Sequence, residues 1–313
     1  MIRTTLFSLL ILAGFPGTLS AQTSFRQADG KIEVAIDGRP FTAFHYSTTW
    51  DKPFLHPLRA PSGLVITRGF PLEEIEGETT DHRWQRGIFL GHDSINGVDF
   101  WRERSRDKTG RMVCRSTPTT RAGRPAGTLS AIYELVTPQD DVLGTVRQRF
   151  TFRRAGSNYL IDVETAIVAD RGALKLGDTE EAMLGLRLAD EFREDRGATL
   201  TNSDGLVGAK NIWGKRARWV DYSTTVKGEK VGVALFDHPT NPRHPTYWHA
   251  RGYGLNAANI FGERRFTRDK TRDGSMTISV GGALSFRHRV VIHPGGLESV
   301  NIEELYGAFA RER

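Results

Sequence analysis

Apolar and polar residues alternate with a period of two along most of this chain, the pattern of strands that bury one face and wet the other. Ile32, Val34 and Ile36 alternate with Glu33 and Ala35 as far as Asp37-Gly38, a hairpin turn signal, and extended sequence resumes from Arg39 to His45. A strand is predicted over residues 129–136. Two long alternating runs follow at 142–152 and 159–168, joined by Ala155-Gly156-Ser157-Asn158, the clearest hairpin in the sequence. Further strands are predicted over 183–188, 218–226, 231–236 and 276–292, with Lys227-Gly228-Glu229 turning between two of them. Only the end carries a helical period: Ile302, Leu305, Tyr306 and Phe309 fall at i, i+3, i+4 and i+7, with Ser299 or Asn301 placed to cap them. Such a helix is expected to pack on the sheet and do no chemistry. Many short strands and 33 glycines predict an all-β fold, a large antiparallel β-sandwich with a short C-terminal helix, rather than a βαβ protein.

The first residues break the alternation. Arg3 precedes an apolar stretch from Leu6 to Phe15, then Pro16-Gly17 and a run of mostly small residues ending at Ala21. Residues 1–21 therefore read as a signal peptide cut after Ala21, which makes the protein periplasmic or secreted. The apolar stretch is well short of the ~20 residues that cross a bilayer, and no later stretch is long enough, so no membrane span is expected in the mature chain. Residues 22–313 contain no linker or low-complexity run and read as a single β-sandwich domain. Cys114, the only cysteine, permits no internal disulfide, so the fold must rest on its buried core.

Charge narrows the partners. The net charge is +6, carried by 34 arginines and only nine lysines scattered along the chain. Nucleic-acid proteins gather such charge into stripes with interleaved aromatics, so no nucleic-acid partner is expected. Pairs such as Arg153-Arg154 and Arg264-Arg265 read first as solvated surface. The sharper reading is that arginine forks attract anionic ligands such as uronate-bearing glycans.

Four segments, at 52–63, 81–101, 177–181 and 237–251, crowd polar, charged and aromatic residues and interrupt the strands. Histidine near a carboxylate moves protons around neutral pH, and aromatic faces beside polar donors suit sugar rings, which present apolar C–H faces and hydroxyl edges. His82, His92 and His249 are the candidate proton carriers, with Glu181 or Asp99 as the partnering carboxylate. His56, Arg86, His238, Arg251 and Tyr253 are candidate substrate contacts, and Trp84 and Trp248 candidate stacking platforms. Asp81-His82 and Asp237-His238 are adjacent in sequence, but neighbours on a strand point to opposite faces, so neither need be a working pair. The chain has no Gly-rich phosphate loop, no Gly-x-Ser-x-Gly elbow and no His-Glu-x-x-His, so no nucleotide or flavin cofactor is expected. His238, His244 and His249 match no zinc spacing, while a metal held from distant strands leaves no spacing to read and stays open. The expected function is that of an exported carbohydrate-active protein using acid/base chemistry on a sugar, by epimerisation, elimination or hydrolysis. Its rivals are a non-catalytic glycan-binding protein and a metal-dependent enzyme on a sugar-like substrate.

The same segments carry a resemblance. Residues 52–59, Thr67-Arg68-Gly69-Phe70-Pro71, Asp81-His82 through Asn96-Gly97-Val98-Asp99-Phe100-Trp101, Gly177-Asp178-Thr179 and Trp248-His249-Ala250-Arg251-x-Tyr253-Gly254 resemble a family of secreted bacterial proteins of unknown function labelled PmoA-like. Members commonly show a His-Pro-His-His-Arg-like run where this chain has His82-Arg83-Trp84-Gln85-Arg86, so two histidines of that run are absent here. The methane oxidation in the label is not carried over: a methane monooxygenase subunit of that name is an integral membrane protein with several spanning helices. More distantly, long antiparallel strands with a histidine-rich cleft look like the galactose-mutarotase supersandwich, shared by sugar epimerases and polysaccharide lyases.

Overall fold

Two large antiparallel sheets face each other across one apolar core in the computed structural model, which describes residues 21–312. The predicted leader, apart from Ala21, lies outside the described residues. Strands account for 46% of the chain and helices for 9%, which makes the fold the all-β sandwich that the alternation implies. The first sheet runs, in spatial order, Thr23–Ala28, Lys31–Ile36, Arg39–His45, Phe54–Leu55, Ile88–His92, Ala182–Arg187, Leu255–Asn259 and Tyr247–Arg251. The second runs Thr199–Asn202, Trp219–Val226, Glu229–Asp237, Ala283–Pro294, Asn158–Val168, Val142–Ala155, Ala126–Val136 and Arg111–Cys114, with Thr119–Arg121 also pairing onto Ala126–Val136. Asp37 and Gly38 both take positive φ, 53° and 75°, the conformation that a two-residue hairpin matched to strand twist requires.

The second sheet follows the alternation. Val146, Phe150 and Phe152 of one strand and Tyr159, Ile161 and Val163 of the next enter the core, where they meet Ile32, Val34, Phe41 and Phe44 of the first sheet. Its outer face is partly covered by the C-terminal helix Ile302–Ala310, whose Ile302, Tyr306 and Phe309 pack on Leu160, Trp219, Phe236 and Val291. Of the two candidate caps Asn301 serves, its side chain accepting from the Glu304 N–H at 3.2 Å. The run 276–292 is not one strand. Met276–Ile278 pairs with Leu174–Leu176, and a turn through Gly281, at φ 79°, separates it from Ala283–Pro294.

The middle of the first sheet is buried on both sides. Ile88–His92, Ala182–Arg187 and Leu255–Asn259 are buried at every position. One face meets the common core; on the other, Phe54, Phe89, Leu255 and Ala257 pack with Trp101 and the partly buried Trp50, Leu72, Trp84 and Tyr253. Trp84 and Trp101 come from the polar segment at 81–101, and the covering loops bring charge with them. Arg68, Arg86 and Arg187 are fully buried side chains. Asp81 pairs with Arg68 at 2.5 Å and with Arg187 at 2.9 Å, while Glu103 receives the Arg86 fork and stands 3.4 Å from the Lys52 ammonium. Breaking a buried pair such as Arg86–Glu103 costs about 3–5 kcal/mol, so that pair locks its covering loop onto the sheet, whereas the Asp81 pairs are partly open to water.

Candidate functional site

Register across the first sheet places the site. His249 pairs with Ala257, Ala257 with Gly185, Gly185 with Phe89 and Phe89 with Phe54, a single row over the outer face. Trp248 and Ala250 point into the core, so alternation turns His249 and Arg251 outward. At this end of the row opens a cavity of about 920 Å³, lined by Glu180, Glu181, Asp93, Arg102, Trp213 and Arg251 and by the segment from Arg264 to Lys270.

Glu181 sits at the head of Ala182–Arg187. Its backbone carbonyl accepts from the Asp93 N–H at 3.0 Å, and its own N–H donates to the Thr179 hydroxyl at 3.0 Å. Arg102 donates to Oε1 at 3.3 Å, but Oε2 is buried and has no hydrogen-bond partner among the described residues. Burial pushes the Glu181 carboxyl above the usual carboxylate range, with Glu180 and Asp93 adding to the push and Arg102 opposing it. His249 is almost fully buried. Its Nδ1 lies 4.0 Å from Glu180 Oε2 and lacks a hydrogen-bond partner, and burial, reinforced by Arg251, lowers its pKa to about 3. The imidazole is therefore neutral near pH 7, while Glu181, the neighbour of Glu180 in sequence, is shifted toward keeping its proton.

His82 stands alongside. Its ring stacks on Tyr253 at 5.3 Å, meets Trp84 edge-on at 5.4 Å, and acts electrostatically on both Glu181 and His249. Its Nδ1 lies 3.1 Å from Asp81 Oδ2 but is not aligned for a hydrogen bond. Asp81 in turn is held well below the carboxylate range, by His82 first and by Arg187 and Arg68 after it.

Positive charge rims the mouth. Asp178 Oδ2 accepts from the backbone N–H groups of Arg264 at 2.9 Å and Gly274 at 2.6 Å, tying both ends of a loop that presents Arg264, Arg265, Arg268 and Lys270. Gly274 can only be glycine there, because a Cβ would stand 2.1 Å from the Phe261 carbonyl oxygen. Arg265 pairs with Glu180 at 3.2 Å; Arg251, Arg268 and Lys270 have no carboxylate partner among the described residues.

Of the residues singled out in the sequence, Glu181 and Arg251 line this cavity, and His249 lies buried behind its wall against Glu180 and Trp213. Tyr253 lines an adjoining cavity and stacks on His82, which meets Trp84. Asp99 stands behind the first cavity, accepting from the N–H groups of Trp101 and Arg102 and pairing with the Arg102 guanidinium at 3.1 Å. The others lie elsewhere. His92 shares the core face with Ile88 and Leu90 and packs on Phe261, its pKa lowered to about 3 by burial. His56 is buried beside Thr67, likewise lowered to about 3. Arg86 is sandwiched between Trp50 and Phe54 and consumed by Glu103, and the Trp248 indole donates to the Ala217 carbonyl inside the core. His238 lies under the C-terminal helix, 3.1 Å from the Phe309 carbonyl oxygen. Trp213, Arg102 and the 264–270 loop were not singled out by sequence; the Arg264-Arg265 pair was their one visible trace. Among the described residues no group of three or more His, Cys, Asp or Glu side chains is placed to hold a metal ion, and no helix is long and apolar enough to cross a membrane.

Fold and site together define an antiparallel β-sandwich with a polar, cation-rimmed cleft on the outer face of one sheet. The chain belongs to DUF6807, a family of unknown function whose model matches residues 31–307. No curated protein matches it. Among solved structures it is similar to the Slr1438 protein of Synechocystis sp. PCC 6803, with 10% identity and a TM-score of 0.30 over 93% of this chain and 99% of that one.

Proposed function

We propose that this is an exported protein that binds an anionic sugar unit in the Glu181–His249 cleft and moves a proton on it. One observation carries the reading: Glu181 Oε2 is buried and unpartnered at the wall of an open cavity whose mouth holds arginines and a lysine without carboxylate partners. A buried polar atom without a partner costs about 1–3 kcal/mol, a cost that a ligand hydroxyl or ether oxygen at that position would relieve. Unpaired guanidinium groups beside it match a carboxylate.

The two groups are biased in opposite directions, which assigns their roles. A sugar carboxylate held by Arg251 acidifies the proton on the adjacent carbon. His249, neutral, takes that proton; the C–H electron pair forms a double bond to the next carbon; the bond from that carbon to its substituent oxygen breaks; and Glu181 gives its proton to the leaving oxygen. Return of the proton to the opposite face instead is epimerisation. A base with a pKa of about 3 is weak; an anionic ligand opposes the Arg251 charge that helps to lower it and favours the imidazolium, against the burial that lowers it most. The resemblance to the galactose-mutarotase supersandwich points the same way at the level of fold and transfers no reaction by itself.

The depressed His249 pKa also supports a second reading, a glycan-binding protein that leaves its ligand intact. Protein recovered from the extracytoplasmic fraction of cells expressing the full chain, its N-terminus checked by mass for loss of residues 1–21, is incubated with polygalacturonate, alginate and neutral xylan. Ultraviolet absorbance of a new double bond, or inversion seen by proton NMR, on a uronate polymer supports the enzyme. Binding without change over prolonged incubation supports the binder. Absence of binding to both uronate polymers, or equal binding to xylan, sinks both readings.

A further inference from the structure

A second cavity of about 540 Å³ adjoins the first, and the two share Trp213, Arg251 and Arg268 as a common wall. Each alone is within the roughly 300–1,000 Å³ of a small-molecule site, and both open to solvent. The far cavity is built rather than incidental. Glu194 accepts from the Ala209 N–H at 2.9 Å and lies so close to Gly252 that a Cβ there would stand 2.4 Å from its Oε2, which fixes the short helix Ala209–Ile212 over the end of Tyr247–Arg251. Trp213 follows that helix directly, half-buried at the junction, its indole N–H unpartnered among the described residues. The charges continue through it. Lys210 in the far cavity, Arg251 and Arg268 on the shared wall and Lys270 in the near cavity all lack carboxylate partners among the described residues, whereas Arg193 in the far cavity is already paired with Asp195 at 2.6 Å.

A single uronate offers one carboxylate, and it needs one fork. Unpaired cations spread over two joined cavities, with an indole between them, match a chain that repeats both a sugar face and a negative charge. We infer that the cleft takes an oligomeric anionic glycan, with a second subsite beyond Trp213 and Arg251 that binds a neighbouring unit of the same chain. This rests on the reading of the Glu181–His249 cleft as a site for an anionic sugar.

The test is a chain-length series. Galacturonate and mannuronate monomers, dimers and tetramers, with polyglutamate as a charge-matched non-sugar, are titrated by calorimetry into wild type, Lys210→Glu and Arg39→Glu at one salt concentration. Arg39 is an exposed residue near the opposite edge of the first sheet, so that variant carries the same change in net charge away from the cleft. Affinity is expected to rise about tenfold or more from monomer to tetramer, the worth of one added charge-assisted contact, and that rise is expected to vanish in Lys210→Glu and persist in Arg39→Glu. Monomer binding as tight as tetramer overturns the second subsite while leaving the first intact. A chain-length gain that survives in Lys210→Glu overturns its location, and polyglutamate binding as tightly as the tetramer replaces glycan recognition with general polyanion attraction. No binding of any uronate removes the parent reading as well.

Discussion

Two polar regions of this molecule contain a histidine close to a carboxylate, and they are built on opposite terms. At the end of the second sheet, Asp237 is fully buried and satisfied: it accepts from the Asn241 amide at 2.6 Å, from His244 Nδ1 at 2.7 Å and from the Thr246 N–H at 2.9 Å. On the outer face of the first sheet, Glu181 Oε2 and His249 Nδ1 are as thoroughly removed from water but have no hydrogen-bond partner among the described residues. A satisfied carboxylate fixes structure, because both of its oxygens have their donors and a ligand has nothing to add to it. An unsatisfied one beside an open cavity keeps its hydrogen-bonding capacity for something that arrives. The difference separates scaffold from site more sharply than residue type does, since both regions hold histidine, carboxylate and arginine.

Glu181→Gln tests the open side of that contrast most severely. Removing an acid that donates in the transition state lowers turnover of the uronate substrate by about a thousandfold, within the usual 10²–10⁴ of general acid–base catalysis, or about 4 kcal/mol. Stability should not fall. A carboxyl whose folded pKa lies above its unfolded one loses stability for the protein as pH rises through that interval, and glutamine removes the loss. Turnover retained within a few-fold, or a melting temperature lowered as in a core variant, would return Glu181 to the scaffold. Asp237→Asn is the counterpart with the next largest effect. An amide nitrogen cannot accept the bond that an oxygen made, so denaturant unfolding should show a loss of about 3 kcal/mol, with turnover unchanged below the new transition. If turnover falls and stability holds, the two regions have been assigned the wrong way round.

The contrast also explains what could be read in the sequence. Val142–Ala155 and the second half of Asn158–Val168 were legible because one face meets core and the other is more open to water, so their residues alternate. Ile88–His92, Tyr247–Arg251 and Leu255–Asn259 were not, because loops cover their outer faces and burial no longer changes from one residue to the next. Their segments looked irregular for the very reason that places the cleft there. His249 and Arg251 emerged from the crowding of histidines and aromatics, yet Trp248 emerged with them and faces the core. Only the register of the sheet separates the two. Trp213, Arg102 and the 264–270 loop left almost no trace, because what makes them matter is contact across the chain, as when Asp178 binds the N–H groups of Arg264 and Gly274.

His92 extends the comparison to a histidine that is buried without being open to a ligand, and its effect is the smallest and most gradual. Burial lowers its pKa from 6.5 to about 3, with no neighbouring charge contributing. The folded state therefore refuses a proton that the unfolded chain accepts. The sign follows: the stability this neutral ring permits is complete above pH 6.5 and is lost as pH falls toward about 3, with a slope per proton of at most about 1.4 kcal/mol per pH unit. His56 and His249 add to the same slope, since both are lowered to about 3 mainly by burial. In His92→Asn the absolute stability changes by an amount set by packing, but the pH dependence of the melting temperature between pH 6.5 and about 4 should flatten relative to wild type, because one of the refused protons is gone. A uronate ligand should flatten it further through His249, whose surroundings the ligand enters, and should leave the His92 share untouched, because that ring faces Phe261 inside the core. An identical slope in His92→Asn and wild type would mean that the ring is protonated in the folded protein, and the core side of the sheet would then be no drier than the cleft.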